Sequence, residues 1–173
     1  MPRNIEIKAR VESLAAVLPR ARALAGGAEP QPIGQDDTFF PAARGRLKLR
    51  VFADGSGELI HYERGDVAGT RASDYVRVPV PDPQALREAL ARAHGVLGRV
   101  RKQRLLLCVG PTRVHLDRVE GLGEFVELEV VMRPDQPDAE GERIAEELMA
   151  ALGLAGVPRI PGAYLDLLAA PSA

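Results

Sequence analysis

One cysteine, Cys108, stands in a chain of 173 residues, which excludes an internal disulfide and a cysteine-rich zinc site. An excess of charge is missing too: 23 lysines and arginines meet 24 aspartates and glutamates, leaving a formal charge of −1. A chain so balanced offers no bulk basic field for nucleic acid, so any anion it binds must be gathered by local clustering. No apolar run approaches the roughly 20 residues of a membrane span, and Met1-Pro2-Arg3-Asn4 shows no signal-peptide core. The expectation is a soluble cytoplasmic protein with neither membrane nor nucleic acid as partner. Neither GxxxxGK(S/T) nor GxGxxG occurs, which removes the usual nucleotide-binding loops. Internal repeats of solenoid length and low-complexity stretches are absent as well.

What is present is punctuation. Seventeen glycines and 14 prolines cut the chain into short segments, a pattern of many strands joined by turns with a few helices. Residues 1–170 fit one domain. Asp82-Pro83-Gln84 reads as an N-cap followed by Pro at the first helical position, and Gly95 as the stop, with Leu86, Leu90 and Ala93 as the apolar stripe. A second helix is expected over about Asp138 to Leu152, burying Ile144, Ala145, Leu148 and Leu152 ahead of Gly153. A third lies near Ser13 to Leu24, where Pro19 should kink or split it. The tail around Ala163 to Leu168 reads either as one more helical turn or as coil.

The strands say more. Ile5, Ile7 and Ala9 alternate with Asn4, Glu6, Lys8 and Arg10, and Leu47, Leu49 and Val51 with Arg46, Lys48 and Arg50. Val114 and Leu116 alternate with Arg113, His115 and Asp117, and Val126, Leu128 and Val130 with Phe125, Glu127 and Glu129. Period two sends each set to opposite faces of a sheet. For one strand alone, the plain reading is an ionic face in water. Across the chain, the helices need an apolar surface to cover, and the ionic faces carry opposite signs on different strands. A sheet curled with its ionic side inward satisfies both, and a nearly closed barrel with a charged lumen is expected.

Glu127 and Glu129 sit roughly 7 Å apart along one strand face. With Glu6 and Asp117 they form a set of hard oxygen donors suited to Mg²⁺ or Mn²⁺. Lys8, Arg46, Lys48, Arg50, Arg64, Lys102, Arg104 and Arg113 can share the same space, and such cations beside a carboxylate-held metal suit a polyphosphate. His61, His94 and His115 show no metal-ligand spacing.

These segments resemble, in order, the CYTH superfamily, the triphosphate tunnel metalloenzymes. Asn4-Ile5-Glu6-Ile7-Lys8 resembles its ExExK signature, Gln35-Asp36-Asp37-Thr38-Phe39-Phe40 its Q-x-D-T-Y-F segment, and Arg46-Leu47-Lys48-Leu49-Arg50 its basic strand. Leu59 to Arg64, Ser73-Asp74-Tyr75, Lys102-Gln103-Arg104 and His115-Leu116-Asp117 continue the match. Gly121 to Glu129 is similar to its acidic closing strand, and Ala163 to Leu168 to its C-terminal segment.

The resemblance implies an α+β fold, an antiparallel eight-stranded β-barrel with helices packed outside. It also implies metal-dependent cleavage or cyclisation of triphosphates, either as a class IV adenylate cyclase or as a triphosphate hydrolase. A non-catalytic polyphosphate or nucleotide sensor is the remaining alternative. By motif position, Glu6, Glu127 and Glu129 would be metal ligands, with Asp117 a ligand or a partner of one, and Lys8 would join the three glutamates in catalysis. Lys8, Lys48, Arg50, Arg64, Lys102 and Arg104, with Arg113, would hold phosphate oxygens. A small-molecule triphosphate (ATP, tripolyphosphate or thiamine triphosphate) would be the substrate, and a homodimer is allowed. One position departs from the signature: the first Glu of ExExK is Asn4, so a second metal should bind less tightly.

Overall fold

The structure, a computed structural model, describes residues 3–64 and 73–169, without the side chains of residues 64, 73 and 74. Its strands are β1 (Arg3–Val11), β2 (Gln31–Phe40), β3 (Arg46–Phe52), β4 (Gly57–Arg64), β5 (Ser73–Val80), β6 (Gly98–Val109), β7 (Thr112–Val119) and β8 (Gly123–Met132). They form one antiparallel sheet in the order β1-β8-β7-β6-β2-β3-β4-β5. The sheet curls until β1 touches β5, with no ladder between these two edges among the described residues. The helices are α1 (Leu14–Leu24), α2 (Pro83–His94), α3 (Asp138–Ala151) and α4 (Tyr164–Ala169). None of them is long and apolar enough to cross a membrane.

Period two decides the layers. Ile5, Ile7, Ala9, Val114, Leu116, Val126, Leu128 and Val130 all point out of the curl, where they pack with α1 and α3. On the far side Phe40, Leu49 and Val51 meet Leu86 and Leu90 of α2. Each such side chain removed from water contributes about 1.5–3 kcal/mol, so the outer layer stabilises the curl and leaves the ionic faces inside. The helical stripes hold with small changes: Ala93 is exposed, and Ala91 packs in its place. Asp82 caps α2 by accepting from the Ala85 amide at 3.0 Å. The tail of the chain is helical rather than coil.

Pro19 neither splits nor ends α1, which runs unbroken through it. Pro19 and Ala15, whose carbonyl loses its partner, are both exposed, so water can satisfy that carbonyl. The start of α1 is capped from outside the helix: Glu124 of β8 accepts from the Leu14 amide at 2.7 Å, while the Ser13 side chain makes no capping bond.

Gly141 lets α3 press onto β1 and β8. A Cβ there would fall 2.7 Å from Ile5 Cγ1 and closer still to Met132 Sδ. Gly141→Ala is therefore expected to lower stability by about 1–3 kcal/mol, although alanine is the better helix former. Urea denaturation followed by circular dichroism would show it as a fall in the midpoint.

Candidate active site

All eight strands, with Ala163 and Tyr164 from the C-terminal segment, border one cavity of about 360 Å³. Its two walls differ in chemistry. One wall comes from β1, β8 and β7, where cross-strand register places Glu6 opposite Glu129, Lys8 opposite Glu127, Arg113 opposite Glu129 and His115 opposite Glu127. The facing wall comes from β2, β3 and β6 and carries Asp37, Lys48, Arg50, Lys102 and Arg104.

On the first wall, Lys8 Nζ is 3.1 Å from Glu127 Oε2 and 3.8 Å from Glu6 Oε1. Glu127 Oε1 accepts from Arg104 at 3.0 Å and is 3.3 Å from His115 Nδ1. Burial would raise the Glu127 carboxyl, but Lys8 and Arg104, with the His115 bond, hold it well below the ordinary carboxylate range. His115 is pushed down by burial and then by Arg104, so its ring is neutral at neutral pH. Glu129 accepts from the Asn4 amide and, at 3.2 Å, from Arg113. Asn4 Oδ1 is buried with no hydrogen-bond partner.

On the second wall, Asp37 ties Arg50 and Lys48 together: Arg50 donates to both carboxylate oxygens, at 2.7 and 2.8 Å, and Lys48 to one at 2.9 Å. Burial would raise Asp37, but Lys48 and Arg50 pull it far below its usual value. Arg104 donates to both oxygens of Asp117 at 2.6 Å, and Tyr164 Oη donates to one at 2.9 Å. Tyr164, Phe125, Phe39, Tyr62 and Val100 pack as an apolar plug at the α4 end. Two further bonds hold the C-terminal segment there: Lys8 donates to the Gly162 carbonyl at 3.3 Å, and Arg46 to Asp166 at 2.8 Å.

Lys102 lines the cavity and is 3.9 Å from Asp117 Oδ2. Burial, then repulsion from Arg104, lowers its ammonium to about 7, against a smaller opposing pull from Asp117. Two opposite pH effects are expected. Between about 7 and about 10.4 the unfolded chain holds a proton that the folded chain has lost, so Lys102 makes stability rise with pH across that window. For a polyphosphate bound against Lys102 the effect would be opposite: tripolyphosphate affinity should weaken about tenfold from pH 6 to 8.5 as the cation disappears, on the scale of about one pK unit of interaction. Calorimetric titration checks this, and Lys102→Met should bind weakly with little of that slope.

Of the residues expected inside, Glu6, Lys8, Lys48, Arg50, Lys102, Arg104, Arg113, Glu127 and Glu129 line the cavity. Arg46 does not; it is drawn to Asp166 at the end of the barrel. Asp117 is fully buried behind Arg104 and is not part of the lining, so it holds Arg104 rather than facing the cavity. The Arg64 side chain lies outside the described residues. The cavity is also lined by polar residues to which the sequence assigned no role, among them Asp37, His115 and Tyr164. His115 was marked by strand parity, whereas Asp37 and Tyr164 stood only within segments quoted for the resemblance, and the bond from Tyr164 to Asp117 spans 47 residues.

Among the described residues, no three carboxylate, imidazole or thiolate groups converge closely enough to hold a metal as they stand. The donors nonetheless suit a hard divalent cation. Glu6, Glu127 and Glu129 offer oxygens only, and the orphaned Asn4 Oδ1 beside Glu129 is a neutral oxygen available to complete the set. Among their present partners are the cations Lys8, Arg104 and Arg113, whose charge a metal ion would replace.

Solved structures share this architecture. The PH1012 protein from Pyrococcus horikoshii OT3 superposes with a TM-score of 0.82 at 26% identity, over 95% of this chain and 98% of its own. A protein from Vibrio parahaemolyticus described as a candidate adenylate cyclase gives 0.77 at 19% identity, over 96% and 98%. A candidate adenylyl cyclase from Hippeastrum with a dominant triphosphatase activity gives 0.66 at 18%, over 94% and 92%. No curated protein matches the sequence. A family model of the CYTH domain matches residues 2–164, nearly the whole chain, and this protein belongs to the CYTH domain family.

Proposed function

We propose that this protein is a divalent-metal-dependent enzyme acting on the phosphoanhydride of a triphosphate, with cyclisation of ATP to cyclic AMP and pyrophosphate as its reaction. The observation that carries the reading is the lining of one cavity of about 360 Å³, where the cations Lys48, Arg50, Lys102 and Arg104 share the space with Glu6, Glu127 and Glu129. A triphosphate fits between them, its oxygens on the guanidinium and ammonium groups. Asp37 and Asp117 fix Arg50 and Arg104 before substrate arrives, so little reorganisation remains at the moment of reaction. Mg²⁺ or Mn²⁺ on Glu6, Glu127 and Glu129, with Asn4 Oδ1 as a neutral neighbour, would supply positive charge at the phosphorus under attack.

Asn4 favours cyclisation over hydrolysis. One carboxylate fewer weakens any second metal that would capture and activate water, whereas a ribose hydroxyl is already tethered to the phosphorus it attacks. Hydrolysis is the second reading, favoured by the triphosphatase activity of the Hippeastrum protein of the same fold.

The test is a product panel with Mg²⁺ or Mn²⁺ and ATP, tripolyphosphate or thiamine triphosphate. Cyclic AMP with pyrophosphate is the expected outcome. Orthophosphate would replace cyclisation by hydrolysis, and binding without turnover would make the protein a sensor. Arg50→Ala should raise the half-saturating substrate concentration about tenfold while the fold persists, the loss of one charge-assisted contact. Unchanged saturation would remove Arg50 from the phosphate wall.

A further inference from the structure

The end of the cavity away from α4 carries side chains that neither the ionic walls nor the cores account for. Ile33 of β2, Phe52 of β3 and Leu106 of β6 all line the cavity, and all three are half-buried. None belongs to any of the three apolar clusters that hold the fold together. Register makes them neighbours: Gln35 stands opposite Phe52, Ile33 opposite Arg104, and Gln31 opposite Leu106. They lie where β2 begins and β3 and β6 end, whereas the plug around Tyr164 occupies the other end of those strands.

Among them stands a second anomaly. Gln35 is 7% exposed and lines the cavity between Phe52 and Lys102, yet its Oε1 has no hydrogen-bond partner. A buried amide oxygen left without a donor costs free energy, and an apolar patch facing an ionic cavity does too. Inorganic tripolyphosphate relieves neither: it has no apolar surface and, when ionised, no proton to give. A flat ring bearing an amino group relieves both.

We propose that this mouth seats the base of a nucleoside triphosphate, with the ring against Phe52, Ile33 and Leu106 and its exocyclic amine donating to Gln35 Oε1. The inference rests on the triphosphate reading above and adds what selects the substrate. Its spacing agrees with that reading. Lys102 is directly opposite Gln35, and Arg104 is two residues, roughly 7 Å, from Leu106 along β6, about the reach of a sugar. Leu106 pairs with His115 and His115 with Glu127, so the phosphate next to the sugar enters beside the carboxylates.

The experiment compares dissociation constants for ATP, purine riboside triphosphate and tripolyphosphate, by calorimetry with Ca²⁺ in place of Mg²⁺ to suppress turnover. Purine riboside triphosphate lacks only the amine. Wild-type protein should bind ATP about tenfold more tightly than the deaminated analogue, the effect of leaving one buried acceptor unpaired. Gln35→Met should bring those two affinities together and leave tripolyphosphate binding unchanged. Phe52→Ala should weaken both nucleotides about tenfold through lost stacking, again sparing tripolyphosphate. Equal binding of ATP and its analogue by wild type would overturn the inference, as would a Gln35→Met variant that loses tripolyphosphate as strongly as ATP. If none of the three ligands binds, the triphosphate reading itself falls, and the base site with it.

Discussion

Asp117→Asn is expected to destabilise the protein by about 3–5 kcal/mol, a loss comparable to a large share of the 5–15 kcal/mol typical of a domain. Asp117 is fully buried and receives two bonds from Arg104 and one from Tyr164, with Lys102 at 3.9 Å. An asparagine keeps the shape and removes the charge, so the Arg104 guanidinium stays buried with Glu127 as its remaining close carboxylate. Arg104 cannot shed its proton to escape, because its neighbours raise an already very basic group further, against the opposing effect of burial. The Tyr164 hydroxyl also loses its acceptor charge, which loosens the plug at the α4 end. Chemical denaturation measures the effect, and a loss below about 1 kcal/mol would show that the pair is not truly desolvated. Acid acts in the same direction. Asp37, Asp117 and Glu127 all lie below their ordinary values when folded, so their contribution is complete above about pH 5 and is lost as pH falls.

The strands whose sequence alternates cleanly were legible because each of their faces has a single environment. Residues 113–117 and 125–130 put valine and leucine under α1 and α3, and Arg113, His115, Glu127 and Glu129 in the cavity. β2 was not legible. Asp36 and Asp37 are adjacent, as are Phe39 and Phe40, because both faces carry the same chemistry: Asp36 binds Arg99 outside, and Asp37 binds Arg50 inside. Phe40 packs in the core under α2, while Phe39 faces the cavity. β5 shows the converse. Val76 and Val78 alternate with Tyr75 and Arg77, yet the valines are 53% and 50% exposed, since among the described residues no helix packs over their outer face. Alternation therefore reports which face a residue occupies, and only tertiary packing decides whether that face is covered. Arg46 shares the parity of Lys48 and Arg50 but sits at the strand end, where Asp166 lies closer than the lumen. The Asp117–Tyr164 bond joins residues 47 apart, beyond the reach of any local pattern.

Glu129→Gln is expected to reduce metal-dependent turnover at least about a hundredfold while leaving the metal-free protein as stable as before, or more so. The reason lies in the ladder. Glu6 and Glu129 are direct cross-strand partners on the cavity face, an arrangement of like charges that is destabilising in a sheet unless cations offset it. Arg113, Asn4 and Lys8 supply part of that offset from the protein itself. Glutamine removes one of the two charges without changing the side chain's length, so repulsion falls in the free protein. One bond suffers: with an amide in place of a carboxylate, only one of the Asn4 and Arg113 donors still meets an oxygen, a cost of about 1 kcal/mol that relief of the repulsion opposes. A divalent ion sees only the loss, since it needs carboxylate charge as well as an oxygen. Thermal melts in EDTA, set beside turnover as a function of Mg²⁺ concentration, separate the two effects. The expected pair is an unchanged or higher melting temperature without metal and a collapse of turnover with it. A variant that loses stability in EDTA but retains its metal response would make Glu129 a structural partner of Arg113, and the cation seat would then have to be sought elsewhere on the wall.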